Sequence, residues 1–272
     1  MLKYIVFNDI SLYTGSRYKL PKLMPDKDKH NIMFIYGKQP VYELLISKHP
    51  LVKLILAKEL EHREISRFTG LAEKRNIPVH FLEKSKVQKF CGPVSHQGIV
   101  AQIERYHYVS KEQFNNLIRF SNQPLLLILD QIQDPHNLGA IIRTAEVTAV
   151  TSVIIPDKGS AEVNATVAKT SSGAIFHVPI YKEFHLYSLL EHLADLKIKP
   201  TALVPTAEHS IYDADLTGPI ALIIGSEGKG VRKNILKFCP LRLKIPGRGR
   251  VASLNASVST AVVLFEVVRQ RG

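Results

Sequence analysis

Short apolar runs alternate with amphipathic stretches along most of this chain. After Pro124, "LLLILD" (125–130), "SVIIP" (152–156), "AIFHVPI" (174–180), "TALVP" (201–205), "IALIIG" (220–225) and "LRLKIP" (241–246) read as strands. Helical spacing fills residues 137–149 and 161–172, and "SVSTAVVLFEVVRQR" (257–271) closes the chain as a long helix. Strands that are apolar at nearly every position belong to a sheet covered on both faces. Their alternation with helices predicts a mainly parallel α/β sheet. Such sheets place ligands beyond the carboxyl ends of their strands. The polar and glycine-rich segments fall at those ends: Asp130 to Arg143, Thr206, Gly225 to Gly230, and Pro246 to Asn255.

Ahead of this region, residues 31–105 carry a smaller alternation. "LVKLILA" (51–57), "IPVHFLE" (77–83) and "QGIVAQIERY" (97–106) read as strands, and "EHREISRFTGLAEKRN" (61–76) as an amphipathic helix. The pattern predicts a separate small α/β domain. Residues 106–123 have no strand signal and contain Ser, Asn and Pro, which marks a linker; 124–272 then form the larger domain. Residues 1–30 are basic, broken by Gly15, Pro21 and Pro25, and keep no period, so a flexible basic arm is expected there.

Charge narrows the partner. The net charge is +12, and an excess of that size draws polyanions toward the surface. Trp is absent, and no aromatic-rich strand suggests a base-stacking RNP motif. No apolar run reaches the ~18 residues of a membrane span. The first ten residues meet Asn8 and Asp9 too early for a signal peptide. Cys91 and Cys239, far apart, offer neither a disulfide framework nor metal spacing, so both read as packing residues in a reducing compartment. The expectation is a cytoplasmic protein with no metal and no membrane, and nucleic acid as its partner.

Three segments carry candidate chemistry. In "DPHNLGAIIRTAE" (134–146), Asn137 can cap a helix, Gly139 admits a close neighbour, and Arg143 can hold a phosphate with its planar fork. A capped helix with an exposed arginine accounts for the spacing equally well, and His136 reads more simply as a turn histidine than as an acid or base. In "IIGSEGKGVR" (223–232), Gly230 stands where a phosphate loop needs Ser or Thr, which rules out Walker-type nucleotide binding. Glu227 there is either a carboxylate favoured by a helix dipole or a site residue. In "IPGRGRVASLN" (245–255) the third glycine of a dinucleotide fingerprint is missing, and no strand follows. Ser253 can serve as a helix cap or as a functional group.

Taken together and in this order, these segments, with "NATVAKTSSGA" (164–174), resemble the SpoU-type RNA 2′-O-ribose methyltransferases of the SPOUT superfamily. "YGKQPVYELL" (36–45) and "SHQGIVAQ" (95–102) resemble the ribosomal-protein-like RNA-binding domain of the subgroup that methylates guanosine in 23S rRNA. The resemblance implies a C-terminal α/β domain tied in a trefoil knot, with S-adenosylmethionine as methyl donor and no metal. It assigns Asn137, Arg143, Glu227, Ser253 and Asn255 to catalysis. Gly225, Ile245 and Leu254 would contact the donor with Thr206 beside it, and Gly247 and Gly249 would let the loop fold tightly. His96, Arg143, Arg248 and Arg250 would face RNA. Two positions depart from the family pattern: Ala149 where relatives often have glycine, and Gly247 where many have methionine.

The resemblance further implies a homodimer formed through the catalytic domain and large-subunit rRNA as substrate. A tRNA ribose methyltransferase and a non-catalytic RNA-binding protein of the same fold are the alternatives. If the charge excess grips RNA, affinity should fall by about 10³-fold or more between ~50 and ~200 mM salt where six or more phosphates are held. Filter-binding titrations across that range check this, and a flat response would contradict an electrostatic grip.

Overall fold

The structure, a computed structural model, describes residues 32–250 and 253–272. The arm expected at 1–30 lies outside the described residues.

The small lobe runs β1 (Met33–Tyr36), α1 (Lys38–Ile46), β2 (Lys53–Ala57), α2 (His62–Lys74), β3 (Val79–Leu82), α3 (Lys84–Cys91) and β4 (Ile99–Ile103). Its sheet has the order β1-β4-β2-β3, with β4 antiparallel to β1 and β2, and β2 parallel to β3. Successive residues of β2 point to opposite faces. Leu54 and Leu56 join the core with Leu44 of α1 and Phe68 of α2, while Ile55 and Ala57 pack with Val87 of α3.

The segment read as a linker contains a helix, α4 (Lys111–Arg119). Ser110 accepts the Gln113 N–H and the Gln113 side chain accepts the Ser110 N–H, a reciprocal cap worth about 1 kcal/mol. Phe114 stacks on Tyr181 with ring centroids 4.4 Å apart. The S-x-x-Q signature and the four-residue spacing of Phe114 and Ile118 were present in the sequence.

The large lobe continues with β5 (Leu125–Asp130), α5 (Pro135–Val147), β6 (Ser152–Pro156), α6 (Ala165–Thr170), a 3-10 turn (Ala174–Phe176) and β7 (Ile180–Glu183). Then come α7 (Leu186–Asp195), β8 (Lys199–Leu203), β9 (His209–Ser210), β10 (Ile220–Gly225), α8 (Lys233–Leu236), β11 (Leu241–Lys244) and α9 (Ala256–Arg271). Its seven strands lie in the order β7-β6-β5-β10-β8-β11-β9, and every pairing is parallel. All six residues of β5 are buried. Leu127 and Leu129 pack with Ile141, Val263 and Leu264 on the face covered by α5 and α9; Leu126 and Ile128 pack with Leu190 and Ile235 on the other. Each such side chain contributes about 1.5–3 kcal/mol of burial.

Local chemistry moved several boundaries. Asp134, not Asn137, caps α5 by accepting the His136 N–H at 2.9 Å, and Pro135 takes the first helical position, where its missing N–H costs nothing. Asn164 caps α6 through the Val167 N–H, so the helix expected from 161 starts at Ala165. "AIFHVPI" is a 3-10 turn before it is a strand, because Gly173 at φ +89° reverses the chain. Burial pushes the Cys239 thiol up to about 11, so it behaves as an inert packing residue. Among the described residues, no helix is long and apolar enough to cross a membrane.

The late strand β10 inserts between β5 and β8, and one ion pair fixes the loop that follows it. Asp130, with no exposure, lies beside Gly225 in register. Its carboxylate accepts the Arg232 backbone N–H at 2.9 Å and Nε at 2.7 Å, and Nη2 lies 2.7 Å away. The Arg232 side chain is 32% exposed, so the partners are unequal: loss of the arginine strands a fully buried charge, whereas loss of the aspartate leaves a guanidinium that can reach water. Arg232→Met is therefore expected to lower unfolding free energy by about 3–5 kcal/mol, and by more than Asp130→Ala. Urea denaturation of both variants measures this, and the reverse ranking would contradict the burial argument.

Candidate active site

The carboxyl ends of β8, β10 and β11 lie side by side, since β8 pairs with both of the others. Strands about 4.8 Å apart put residues at those ends within roughly 10 Å of each other. Thr206 follows β8 and is exposed, Gly225 ends β10, and Ile245 follows β11 with its side chain half-buried against the core. Leu254 is exposed ahead of α9. The edge thus offers main-chain groups from three strand ends with an apolar side chain at each flank.

Gly225 is glycine for a reason other than room for a ligand. A Cβ there would lie 2.0 Å from the Gly230 carbonyl carbon and 2.1 Å from the Val231 nitrogen. The loop closes back on its own strand, and the Gly230 N–H donates to Ser226 O at 2.8 Å. The expectation for Gly247 and Gly249 also changes. A Cβ at either meets nothing within 4 Å and neither has positive φ, so tight folding does not require glycine there.

Three of the candidate polar residues meet. Glu227 Oε1 accepts Asn137 Nδ2 at 2.8 Å and also accepts Asn255 Nδ2. Asn255 Nδ2 further reaches Asn137 Oδ1 at 3.0 Å. Asn255 is the cap of α9: its Oδ1 accepts the Ser257 N–H at 2.9 Å and the Val258 N–H at 3.3 Å. The Glu227 carboxylate thus sits at the α9 N-terminus, with the Ala256 N–H 3.5 Å from Oε1, where the helix dipole favours negative charge. Its Oε2 makes no hydrogen bond among the described residues. Ser253 is exposed and precedes the cap by two residues, so it is not the helix cap, and its hydroxyl makes no hydrogen bond among the described residues.

Arg143 is not in this cluster. Six residues along α5 from Asn137, it turns about 240° around the helix and borders a different cleft of ≈ 410 Å³ with Gln39, Glu43, Glu146, Ser172 and His177. Arg248 and Arg250 are exposed. His96 corrects the expectation of an RNA-facing side chain: it is 5% exposed, and its Nδ1 accepts the Gly98 N–H at 3.1 Å. Desolvation, with a smaller contribution from Lys84, lowers its pKa, so it is a neutral turn residue. Sequence reading missed Asp130 and Arg232 as a pair, although an Asp closing a run of apolar residues in a buried strand needs a cationic partner. Among the described residues, no group of three or more His, Cys, Asp or Glu side chains is placed to hold a metal ion.

Comparison with known proteins joins this geometry to a family. The family model described as the SpoU rRNA Methylase family matches residues 124–265, and one described as RNA 2'-O ribose methyltransferase substrate binding matches 34–123. The chain is 35% identical over 239 residues to the TrmH family tRNA/rRNA methyltransferase candidate YacO of Bacillus subtilis, covering 88% of this chain and 96% of the relative. It is 35% identical over 240 residues to the 23S rRNA (guanosine-2'-O-)-methyltransferase RlmB of Pectobacterium atrosepticum, covering 88% of this chain and 98% of that one. The SpoU methyltransferase AviRb of Streptomyces viridochromogenes, solved with AdoMet, superposes with a TM-score of 0.75 at 21% identity over 89% of this chain and 92% of its own, a likeness of fold. With its two lobes matched in order and relatives spanned almost end to end, the chain belongs to the SpoU family of RNA 2′-O-ribose methyltransferases.

Proposed function

We propose that this protein transfers a methyl group from S-adenosylmethionine to the ribose 2′-OH of a guanosine in large-subunit (23S) rRNA. The observation that carries the reading is the meeting of Asn137, Glu227 and Asn255 from three separate segments, beside the strand ends that bear Thr206, Gly225 and Ile245. The name of the Pectobacterium relative supplies the guanosine and the rRNA.

The chain's residues fit such a donor. Main-chain groups at the ends of β8, β10 and β11 would meet the donor's polar groups, and Ile245 and Leu254 would give apolar walls for its adenine ring. When bound, the sulfonium supplies an electrophilic methyl carbon. The protein's task is then to aim an oxygen lone pair along one bond, and such positioning contributes about 7–11 kcal/mol in well-oriented reactions. Asn137 and Asn255, locked through Glu227, hold the site's shape, and the Ser253 hydroxyl, exposed two residues before Asn255, orients the ribose. Arg143 grips an RNA phosphate through the planar fork of its guanidinium and is not assigned the removal of a proton. Arg248 and Arg250 give further phosphate contacts.

A homodimer through the catalytic domain belongs to this reading. Val258 and Phe265 are 47% and 52% exposed two turns apart on one face of α9, with Leu254 ahead of them. This apolar stripe along α9 suits the same helix of a second copy.

A second reading, tRNA ribose methylation, draws on the Bacillus relative, whose name covers both RNAs. Mapping of 2′-O-methyl sites in cells lacking the protein separates the two. Loss of one methylguanosine from 23S rRNA is expected, and loss from tRNA alone would select the second reading.

Calorimetric titration with S-adenosylmethionine is expected to give saturable binding; no heat would leave a non-catalytic RNA binder. Glu227→Gln places an amide among amide donors and should lower kcat by about 10²–10³-fold with RNA affinity retained. An unchanged kcat would remove Glu227 from the machinery.

A further inference from the structure

The cleft bordered by Arg143 is built from both lobes, and its charges are unevenly used. On the small-lobe side, Glu43 is fully engaged: Oε1 accepts Gln39 Nε2 at 2.5 Å and Oε2 lies 2.7 Å from His177 Nε2. That wall is seated tightly. Gly173 has φ +89°, and a Cβ there would lie 2.6 Å from the Glu43 Cβ and 3.1 Å from the Pro40 Cα. On the α5 side, Arg143 and Glu146 stand three residues apart, a spacing at which opposite charges on a helix commonly pair. Yet neither side chain has a hydrogen bond or ion pair among the described residues, and both border the cleft.

A rigid wall facing one free carboxylate and one free guanidinium, about a helical turn apart, suits a ligand with a donor edge and an anionic group. A carboxylate offers two acceptor oxygens and no donor. Of the four RNA bases only guanine presents two adjacent donor groups, N1–H and N2–H₂, on its Watson–Crick edge. Adenine and cytosine put a ring acceptor beside their amino group, and uracil flanks its single N–H with two carbonyls; both arrangements repel a carboxylate.

We propose that this inter-lobe cleft recognises a guanine of the substrate RNA, Glu146 accepting its N1–H and N2–H₂ while Arg143 holds an adjoining phosphate. The inference rests on the guanosine reading given above and adds the residue that selects the base. The donor belongs elsewhere: its main-chain cradle follows β8, β10 and β11, whereas this cleft is bordered by α1, α5 and the turn after α6.

The test uses the full chain, S-adenosylmethionine, and RNA fragments spanning the mapped position with either guanosine or inosine there. Inosine keeps N1–H and lacks only the amino group. Wild-type kcat/KM is expected to be about tenfold or more higher for guanosine, the discrimination of one well-formed contact to a base edge. Glu146→Gln should bring the two substrates to within about threefold, and donor affinity measured by calorimetry should not change. Equal wild-type rates on both RNAs would overturn this inference and leave the methyltransferase reading standing. An undiminished guanosine preference in Glu146→Gln, or a matching loss of donor affinity, would also overturn it. No methylation of either RNA would overturn both.

Discussion

A carboxylate sealed at the end of the central strand governs how this site is assembled. Asp130 has no exposure, and a charge in that position persists only if its oxygens are met by donors. Arg232 meets them with both its backbone and its side chain. To do so, the loop after β10 must double back over Gly225, which explains the missing side chain there. The same reversal projects Glu227 outward, toward the N-terminus of α9 and the third residue of α5. One ion pair thereby fixes a third element of the site without belonging to its chemistry.

Glycines supply the complementary constraint, close approach. Gly139 on α5 leaves space for Thr170, whose Oγ1 would lie 1.8 Å from an added Cβ. Gly173 admits α1 in the same way. The segment 164–174 is therefore wedged between the helix that carries Asn137 and Arg143 and the helix that opens the small lobe. Lys169 extends the contact, with Nζ 3.3 Å from Gln97 Oε1. The Tyr106 hydroxyl donates to Ile175 O at 2.9 Å, and His49 stacks on the same ring with centroids 5.3 Å apart. The family-like stretch "NATVAKTSSGA" thus acts as a joint that sets the two lobes in a defined geometry.

Polar side chains follow a similar economy. Asn255 caps a helix with its oxygen and ties Glu227 and Asn137 with its nitrogen, so the start of α9 and the site share one residue. Arg143, by contrast, makes no hydrogen bond or ion pair among the described residues and borders the cleft between the lobes.

Much of the architecture was written locally. Uninterrupted apolar runs marked a two-sided parallel sheet, and Pro135, the capping side chains and the 3.6-residue spacing marked helices, because these preferences act between neighbours in the chain. Two caps were misassigned: Asp134 competes with Asn137, and Asn255 with Ser253, and sequence spacing alone does not say which oxygen reaches an N–H. The motif order was enough to bring Asn137, Glu227 and Asn255 under suspicion through family resemblance. That they touch, across separations of 90 and 118 residues, was decided by β10 entering between β5 and β8. Tertiary structure alone also buried His96, turned Arg143 into a separate cleft and paired Asp130 with Arg232 across 102 residues. Periodicity records which side of an element faces the core. Strand order depends on which distant edges pair, and no local pattern encodes that choice.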